Sequence, residues 1–221
     1  MEQKAVIFDL DGLLIDSEPI WEESEQSVFK RYDVNVLMEW CYQIKGNRVD
    51  EAIKTIIRLA NREDLNPLII EEQIIAEVIR LIGLKGKGMP GYMYILHFFK
   101  SRGWLVSLAS ASKMPVIEAA LVKLGCATLF DEIHSAEFEV FGKPHPAVFL
   151  TTAEKLGVKP QNCLVFEDSI NGMIAGKAAQ MKVVAIPPAE LINDVRYSLS
   201  DVILPTLLAF KEMHLIKLSM Q

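Results

Sequence analysis

Short apolar runs that end in polar residues recur along the chain and predict buried strands. Ala5-Val6-Ile7-Phe8 is an unbroken run of this kind, and it stops at Asp9 and Asp11. Strands in the interior of a parallel sheet are covered on both faces, so they appear as continuous apolar runs rather than alternating ones. The predicted strands are Ala5–Phe8, Leu105–Ala109, Leu164–Phe166 and Val183–Ile186.

Helical patterns separate the later strands. They cover residues 115–124, 146–156 and 170–181, and Gly125 and Gly157 follow two of them as expected C-terminal stops. Strands that alternate with helices form βαβ units with right-handed crossovers and a parallel sheet. The sequence therefore predicts an α/β fold with a Rossmann-like open parallel sheet.

The region from Ser17 to about Leu84 does not alternate in this way. It shows helical patterns over 18–32, 49–61 and 70–82, and no strand candidate. An all-α insert of this length after the first strand predicts a second, smaller domain. We expect an α/β core of residues 1–16 and 86–221 and a helical cap of residues 17–85, with a hinge in the glycine-rich stretch 83–88.

Composition and charge are those of an ordinary globular protein. The chain has 221 residues, of which 51% are hydrophobic and 24% charged, and its formal net charge is −6. A mildly acidic surface does not attract nucleic acid or anionic membranes in general, so we expect neither as a partner. No apolar run approaches the ~18 residues of a membrane span, and no signal peptide is expected, which favours a cytoplasmic location. Cys41, Cys126 and Cys163 are predicted to be core residues.

Polar clusters follow the first two predicted strands, where open α/β sheets bind ligands. Asp9 and Asp11 are two residues apart, so both carboxylates can face one site, and Gly12 lets the chain turn away there. No basic residue stands beside them in sequence, which suggests that a cation lies between them. Ser110-Ala111-Ser112 follows the second strand, and its hydroxyl and N–H groups form a possible anion cradle.

Two further clusters complete the candidate site. Lys143 stands in the turn 142–146, where flanking glycine and proline would hold its ammonium as a point charge for an anionic oxygen. His145 in the same turn is interpreted as structural rather than as a general base. Glu167 and Asp168 follow the next strand, and with Asp9 they form an all-oxygen ligand set that suits Mg²⁺ rather than zinc.

In combination, these clusters resemble the motifs of the haloacid dehalogenase superfamily. Phe8-Asp9-Leu10-Asp11-Gly12-Leu13-Leu14-Ile15-Asp16-Ser17-Glu18 resembles the first motif, and Ser110, Lys143 and Glu167-Asp168 match the second, third and fourth in order. The insert stands where the superfamily has its α-helical cap. Other segments, such as 108–112 and 167–175, resemble the subgroup of bacterial 2-deoxyglucose-6-phosphate (hexitol phosphate) phosphatases, of which the β-phosphoglucomutases are neighbours.

The resemblance implies a catalytic role for each acidic residue. Asp9 would attack phosphorus and become an aspartyl phosphate, and Asp11 would protonate the leaving alkoxide and then activate water. Mg²⁺ would be held by the Asp9 carboxylate, the Asp11 backbone carbonyl and Asp168, with Glu167 behind them. The implied activity is the Mg²⁺-dependent hydrolysis of a small sugar or polyol phosphate.

The resemblance also implies which residues bind the substrate. Ser110, the Ala111 N–H and Lys143 would bind the phosphoryl group. In the cap, Gly46 and Arg48 belong to a turn where relatives contact the substrate. A small phosphate monoester is the expected partner, and a monomer or weak homodimer is the expected assembly.

Other functions use similar residues. A phosphomutase shares the whole core set, since hydrolysis and phosphoryl return differ only in the acceptor. A receiver-like phospho-acceptor domain also uses Mg²⁺, acids and a lysine, but its acceptor follows the third strand and it has no cap; a sugar-phosphate-binding protein is a third alternative. Asp11 argues against a dehalogenase, and a phosphonatase would need a cap lysine, for which Lys45 is the candidate.

Overall fold

A parallel β-sheet forms the centre of the molecule. The computed structural model describes residues 2–44 and 46–220, and in them six strands are ordered β3-β2-β1-β4-β5-β6, all parallel. They are β1 (Ala5–Phe8), β2 (Leu105–Ser110), β3 (Glu132–Ser135), β4 (Cys163–Glu167), β5 (Lys182–Ala185) and β6 (Val202–Ile203). The predicted α/β fold with an open parallel sheet is confirmed.

Both faces of β1 are covered, which explains its unbroken apolar sequence. Val6 and Phe8 belong to a core cluster that includes residues of the two helices α5 (Tyr92–Lys100) and α6 (Met114–Leu124). Ala5 and Ile7 point to the other face, toward α7 (Ala147–Leu156) and α8 (Ile170–Ala178). A short helix, α9 (Glu212–Lys217), lies near the C-terminus. None of the described helices is both long and apolar enough to span a membrane.

In the described residues between β1 and α5, where the insert is expected, four helices are found. They are α1 (Glu18–Lys30), α2 (Met38–Ile44), α3 (Val49–Leu59) and α4 (Pro67–Lys85). The long helix α4 is packed against both α1 and α3. Asn66 caps α4, because its Oδ1 accepts a hydrogen bond from the Leu68 N–H at 3.0 Å. We call residues 17–85 the helical insert; its standing as a separate domain remains a prediction.

The two chain segments that join the helical insert to the sheet pair with each other. Ile15 and Gly88 form an antiparallel bridge, with the Asp16 N–H donating to the Lys87 carbonyl at 2.9 Å. A Cβ on Gly88 would collide with the ring of Tyr92, so this glycine permits close packing at the joint.

Some elements differ from the sequence-based prediction. Strands β3 and β6 are not predicted, because they are the edges of the sheet and lack a long apolar run. Helices α2, α5 and α9 are not predicted either. The hinge prediction is wrong for residues 83–85: they continue α4, and the connection to the sheet starts at Gly86. The buried positions of Cys41, Cys126 and Cys163, all free thiols, agree with the prediction of core residues.

Candidate active site

The site lies where the chain order of the sheet reverses. Strands β1 and β4 are neighbours, with Phe8 opposite Phe166, so Asp9 and Glu167 lie side by side at the carboxyl ends of their strands. Such reversal points are where open α/β sheets bind ligands. Gly12, at a φ of 74°, turns the chain away, and a Cβ there would collide with the Asp168 carboxylate. Glycine is therefore required for Asp168 to approach the end of β1.

Lys143 forms a buried ion-pair network with two of these acids. Its Nζ donates to Asp9 Oδ1 at 2.6 Å, to Glu167 Oε1 at 2.5 Å and to the Ala109 carbonyl at 3.2 Å. All three N–H groups of the ammonium therefore have acceptors within the protein. The fold thus brings the ammonium of Lys143 to Asp9 from a distant part of the chain. The sequence directly beside Asp9 contains no basic residue and so gives no sign of this contact.

One ammonium does not balance the charge of this cluster. Burial raises the pKa of Asp9 well above its usual value, and the Glu167 and Asp11 carboxylates add to this effect while Lys143 opposes it. For Lys143, burial lowers the pKa, but the Asp9 and Glu167 charges outweigh burial and raise it above its ordinary value. Lys143 is therefore charged, whereas the ionised form of Asp9 is disfavoured, and a further cation beside Asp9 would favour that form.

The donor set fits a hard divalent cation. Asp9, Glu167 and Asp168 are all buried, and each offers a carboxylate oxygen within 4.8 Å of the others. Oxygen-only sets of this kind suit Mg²⁺. The two Glu167 oxygens also accept hydrogen bonds from Lys143 and from the Ser169 N–H and hydroxyl. These bonds favour the supporting role that the family resemblance implies for Glu167, behind Asp9 and Asp168.

Asp11 is held by donors from both parts of the molecule. The Ser17 hydroxyl and the Trp21 Nε1–H, at the start of α1, donate to its Oδ1 at 2.7 and 2.9 Å. The Ser112 hydroxyl donates to its Oδ2 at 2.7 Å, and the Ser110 hydroxyl is 3.4 Å from the same oxygen. Together, these bonds orient the carboxyl between the sheet and the helical insert.

The three residues of the Ser110-Ala111-Ser112 segment differ in how they stand toward the cavity. Ala111 and Ser112 line the cavity beside Asp9 and Asp11. Ser110 is buried, and its oxygen accepts the Ser112 N–H at 3.0 Å, so it shapes the turn. The phosphoryl contacts expected of Ser110 and of the Ala111 N–H both remain predictions.

A cavity of about 180 Å³ opens above these residues, between the sheet end and the helical insert. Its sheet side carries Asp9, Asp11, Lys143 and Asp168. Its other walls are acidic and apolar; they include Glu18, Trp21, Glu22, Glu25, Cys41, Ile44, Asn47 and Glu190. Lys143 is the basic residue among the described lining residues. The cavity therefore joins the candidate catalytic acids to a compartment formed largely by the helical insert.

Comparison with known proteins agrees with this geometry. A family model of the haloacid dehalogenase-like hydrolases matches residues 3–180. The chain belongs to this family. The predicted family is confirmed, and with it the prediction that the protein is an enzyme.

Relatives of this haloacid dehalogenase-like hydrolase match nearly its whole length. Hexitol phosphatase B of Escherichia coli (strain K12) is 38% identical over 204 residues, covering 92% of each chain. The phosphorylated carbohydrates phosphatase of Thermotoga maritima is 31% identical over 201 residues, 90% of this chain and 88% of that protein. The crystal structure of β-phosphoglucomutase from Clostridium difficile superposes with a TM-score of 0.87 at 25% identity, covering 98% of this chain and 97% of that one.

Gly46 and Arg48, the two insert residues predicted to bind substrate, differ from each other in their positions in this hydrolase. Gly46 lines the cavity. Arg48 instead reaches the loop after β3: its Nη1 donates to the Glu139 carbonyl at 2.8 Å and the Ala136 carbonyl at 3.3 Å, while Nε and Nη2 donate to Asp50. Arg48 therefore lies between the helical insert and the sheet side, and its predicted substrate contact remains untested. Lys45, the lysine considered for phosphonatase chemistry, lies outside the described residues.

Ser17, Trp21 and Glu25 are site residues that the sequence reasoning missed. They are four residues apart, at the N-cap and on one face of α1 directly after the first motif. That spacing is the signal that could have found them, because one face of a helix beginning there must point at the end of β1.

Proposed function

We propose that this hydrolase is a Mg²⁺-dependent phosphomonoesterase that cleaves small sugar or polyol phosphates through an aspartyl phosphate on Asp9. The observation that carries the proposal is that Asp9, Asp11, Lys143 and Asp168 line one cavity. With the proposed roles, that arrangement would surround a single phosphoryl group with a nucleophile, an acid–base group and positive charge.

The reaction would proceed in two displacements at phosphorus. A carboxylate oxygen of Asp9 attacks, the bond from phosphorus to the ester oxygen breaks, and the Asp11 carboxyl gives its proton to the departing alkoxide. Asp11, now ionised, takes a proton from water as that water attacks the phosphorus of the aspartyl phosphate. Phosphate leaves and the Asp9 carboxylate is restored.

The remaining residues would act by charge and position. Lys143, which donates to Asp9, would offset the charge of the phosphoryl group, and the Ala111 N–H at the cavity wall would bind a phosphoryl oxygen. Asp9, the Asp11 carbonyl and Asp168 would hold Mg²⁺. The cation would neutralise negative charge on the phosphoryl oxygens. This is needed because the carboxylates around Asp9 would otherwise repel the phosphoryl group.

The substrate class is inferred from the relatives and from the polar groups in the cavity wall. The relatives named above include a hexitol phosphatase and a phosphorylated carbohydrates phosphatase. The wall that includes Glu25 and Asn47 offers side-chain groups that can hydrogen-bond hydroxyls, beyond the expected phosphoryl position. Both points support sugar and polyol phosphates, 2-deoxyglucose 6-phosphate and hexitol phosphates among them.

A phosphomutase is the second candidate, supported by the structural similarity to a β-phosphoglucomutase. A mutase returns the phosphoryl group to a sugar, whereas a phosphatase gives it to water, so free phosphate distinguishes them. Turnover of β-glucose 1-phosphate into glucose 6-phosphate faster than phosphate release would favour the mutase.

The deciding experiment measures phosphate release from a panel of sugar and polyol phosphates, with and without Mg²⁺. We expect turnover of hexitol or hexose 6-phosphates that is lost on exhaustive chelation and restored by Mg²⁺. Asp9→Asn should reduce turnover to background, because it removes the nucleophile itself. The matched control is Asp16→Asn, at an exposed aspartate within the same motif. Chelator-resistant activity, or activity retained by Asp9→Asn, would contradict the proposal.

A further inference from the structure

Glu25 is a buried acid that the proposed chemistry does not use. It lies on α1, is 7% exposed and lines the cavity together with Asp11 and Trp21. Its hydrogen-bond partner among the described residues is the Cys41 thiol, whose sulfur is 3.8 Å from Oε2. A thiol is a weak donor, so this contact is a poor replacement for the water that the carboxyl loses on burial.

The state of this carboxyl follows from its surroundings. Burial raises the pKa of Glu25 to about 8; the Cys41 hydrogen bond opposes the shift, and the Glu18 and Glu22 charges add to it. At neutral pH the group is therefore mostly a neutral acid, with one O–H donor and free acceptor capacity. A group of that kind binds an alcohol hydroxyl, which is itself both donor and acceptor.

Glu25 lies one helical turn beyond Trp21, the α1 residue that contacts the proposed reaction centre. Trp21 donates to Asp11 at 2.9 Å, and Glu25 follows Trp21 by four residues on the same face of α1. Four residues advance a helix by about 6 Å. A leaving group whose ester oxygen receives a proton from Asp11, and which extends along this face of α1, would reach the next turn and Glu25.

We propose that Glu25 determines substrate specificity by hydrogen bonding to a hydroxyl of the leaving alcohol several bonds from the ester oxygen. The inference rests on the proposed phosphomonoesterase function and narrows it to extended, uncharged polyhydroxy alcohols. Glu18, Glu22 and Glu190 line the same cavity, and their carboxylates would repel a leaving group that carries a second anionic group.

The test compares kcat/KM for sorbitol 6-phosphate, glycerol 1-phosphate and p-nitrophenyl phosphate. In Glu25→Leu, which has similar size and no polar atoms, we expect the ratio of sorbitol 6-phosphate to p-nitrophenyl phosphate to fall at least tenfold. The ratio of glycerol 1-phosphate to p-nitrophenyl phosphate should change less than threefold, because that short alcohol does not reach the next turn of α1. Glu25→Gln keeps a donor and an acceptor and should retain most of the preference.

Glu23→Leu is the matched control, since Glu23 is an exposed glutamate on the same helix and pairs with Lys85. We expect its ratios to equal those of the parent. If Glu25→Leu does not fold, Glu25→Met, an unbranched apolar replacement, takes its place with the same expected ratio.

The outcomes separate this inference from the function on which it rests. Equal losses on all three substrates would make Glu25 a structural residue and overturn the inference, as would an unchanged ratio. A preference for glucosamine 6-phosphate over sorbitol 6-phosphate that Glu25→Gln abolishes would indicate an ionised receptor for ammonium and would also overturn it. If the parent protein releases phosphate from none of the panel, the proposed function itself fails.

Discussion

Asp11 receives hydrogen bonds from residues far apart in sequence, and this sharing defines its place in the reaction. Ser17 and Trp21 come from the start of the helical insert, and Ser112 comes from the turn after β2. The carboxyl is therefore oriented only when the helical insert and the sheet side are together. Proton transfer by Asp11 would thereby be tied to the enclosed form of the cavity.

Asp11→Asn should separate the two chemical steps. With p-nitrophenyl phosphate the leaving group needs little protonation, so Asp9 can still be phosphorylated, whereas the asparagine cannot take a proton from water. We expect a burst of about one nitrophenolate per protein and a covalent phosphate on Asp9, identified after acid quench by peptide mapping. Asp9→Asn combined with Asp11→Asn serves as the unlabelled control. An Asp11→Asn protein with normal steady-state turnover, or with no phosphate on Asp9, would show that the roles are assigned wrongly.

At the scale of secondary structure elements, the helical insert meets the rest of the molecule through the packing of α4 on α6 and through several polar contacts. Arg48 donates to two carbonyls of the loop after β3, the Asn171 side chain donates to Asn47 Oδ1 at 3.0 Å, and Lys113 pairs with Glu71. Asp50 holds the Arg48 guanidinium through two parallel hydrogen bonds, which orient it for the loop. These contacts stabilise the enclosed cavity.

Arg48→Ala should therefore affect every substrate alike. We expect kcat/KM to fall about threefold to tenfold for both sorbitol 6-phosphate and p-nitrophenyl phosphate, because the lost charge-assisted hydrogen bonds are worth ~1.5–3 kcal/mol and part of that loss opens the cavity. Lys54→Ala is the control, since Lys54 also contacts Asp50 but is exposed. A loss confined to the sugar phosphate would instead support the substrate contact that the family resemblance implies for Arg48.

Some strands and helices can be predicted from their own sequence, and others cannot. β1 is covered on both faces, so its apolar run alone predicts it, and the acids after it can be read as a site. β3 is an edge strand with the sequence Glu-Ile-His-Ser, and it has no such local signal. The end of α4 is not predicted correctly either. A glycine usually indicates the end of a helix, but this helix continues through Gly83 to Lys85.

Contacts between distant segments are the part of the site that no local pattern contains. Lys143 meets Asp9 across 134 positions of the chain, and Ser112 meets Asp11 across 101. The family resemblance supplies the residue types but not these bonds. It also does not reveal that Arg48 is engaged by Asp50 and the loop after β3, or that Glu25 is buried in the cavity wall.

For the whole molecule, the clustered carboxylates oppose folding, and a second cation beside Lys143 would reduce this effect. Asp9, Glu167 and Asp168 lie close together in a buried environment, and Lys143 is the ammonium placed among them. Like charges at short range in a medium of low polarity repel strongly. A cation that binds the folded protein and not the unfolded chain lowers this repulsion and stabilises the fold by mass action.

Mg²⁺ should therefore raise the melting temperature, and chelation should lower it. At a Mg²⁺ concentration of about 100 times Kd, the added stability is ~2.7 kcal/mol. For a chain of this size, each kcal/mol corresponds to about 2–4 °C, so we expect a shift of about 5–10 °C by calorimetry. Asp168→Asn should abolish most of the shift by removing a ligand charge, whereas Asp64→Asn, at an exposed carboxylate paired with Arg62, should leave it intact. A shift that survives in Asp168→Asn would place the cation elsewhere on the molecule, and no shift in the parent protein at saturating Mg²⁺ would exclude a metal role for this cluster.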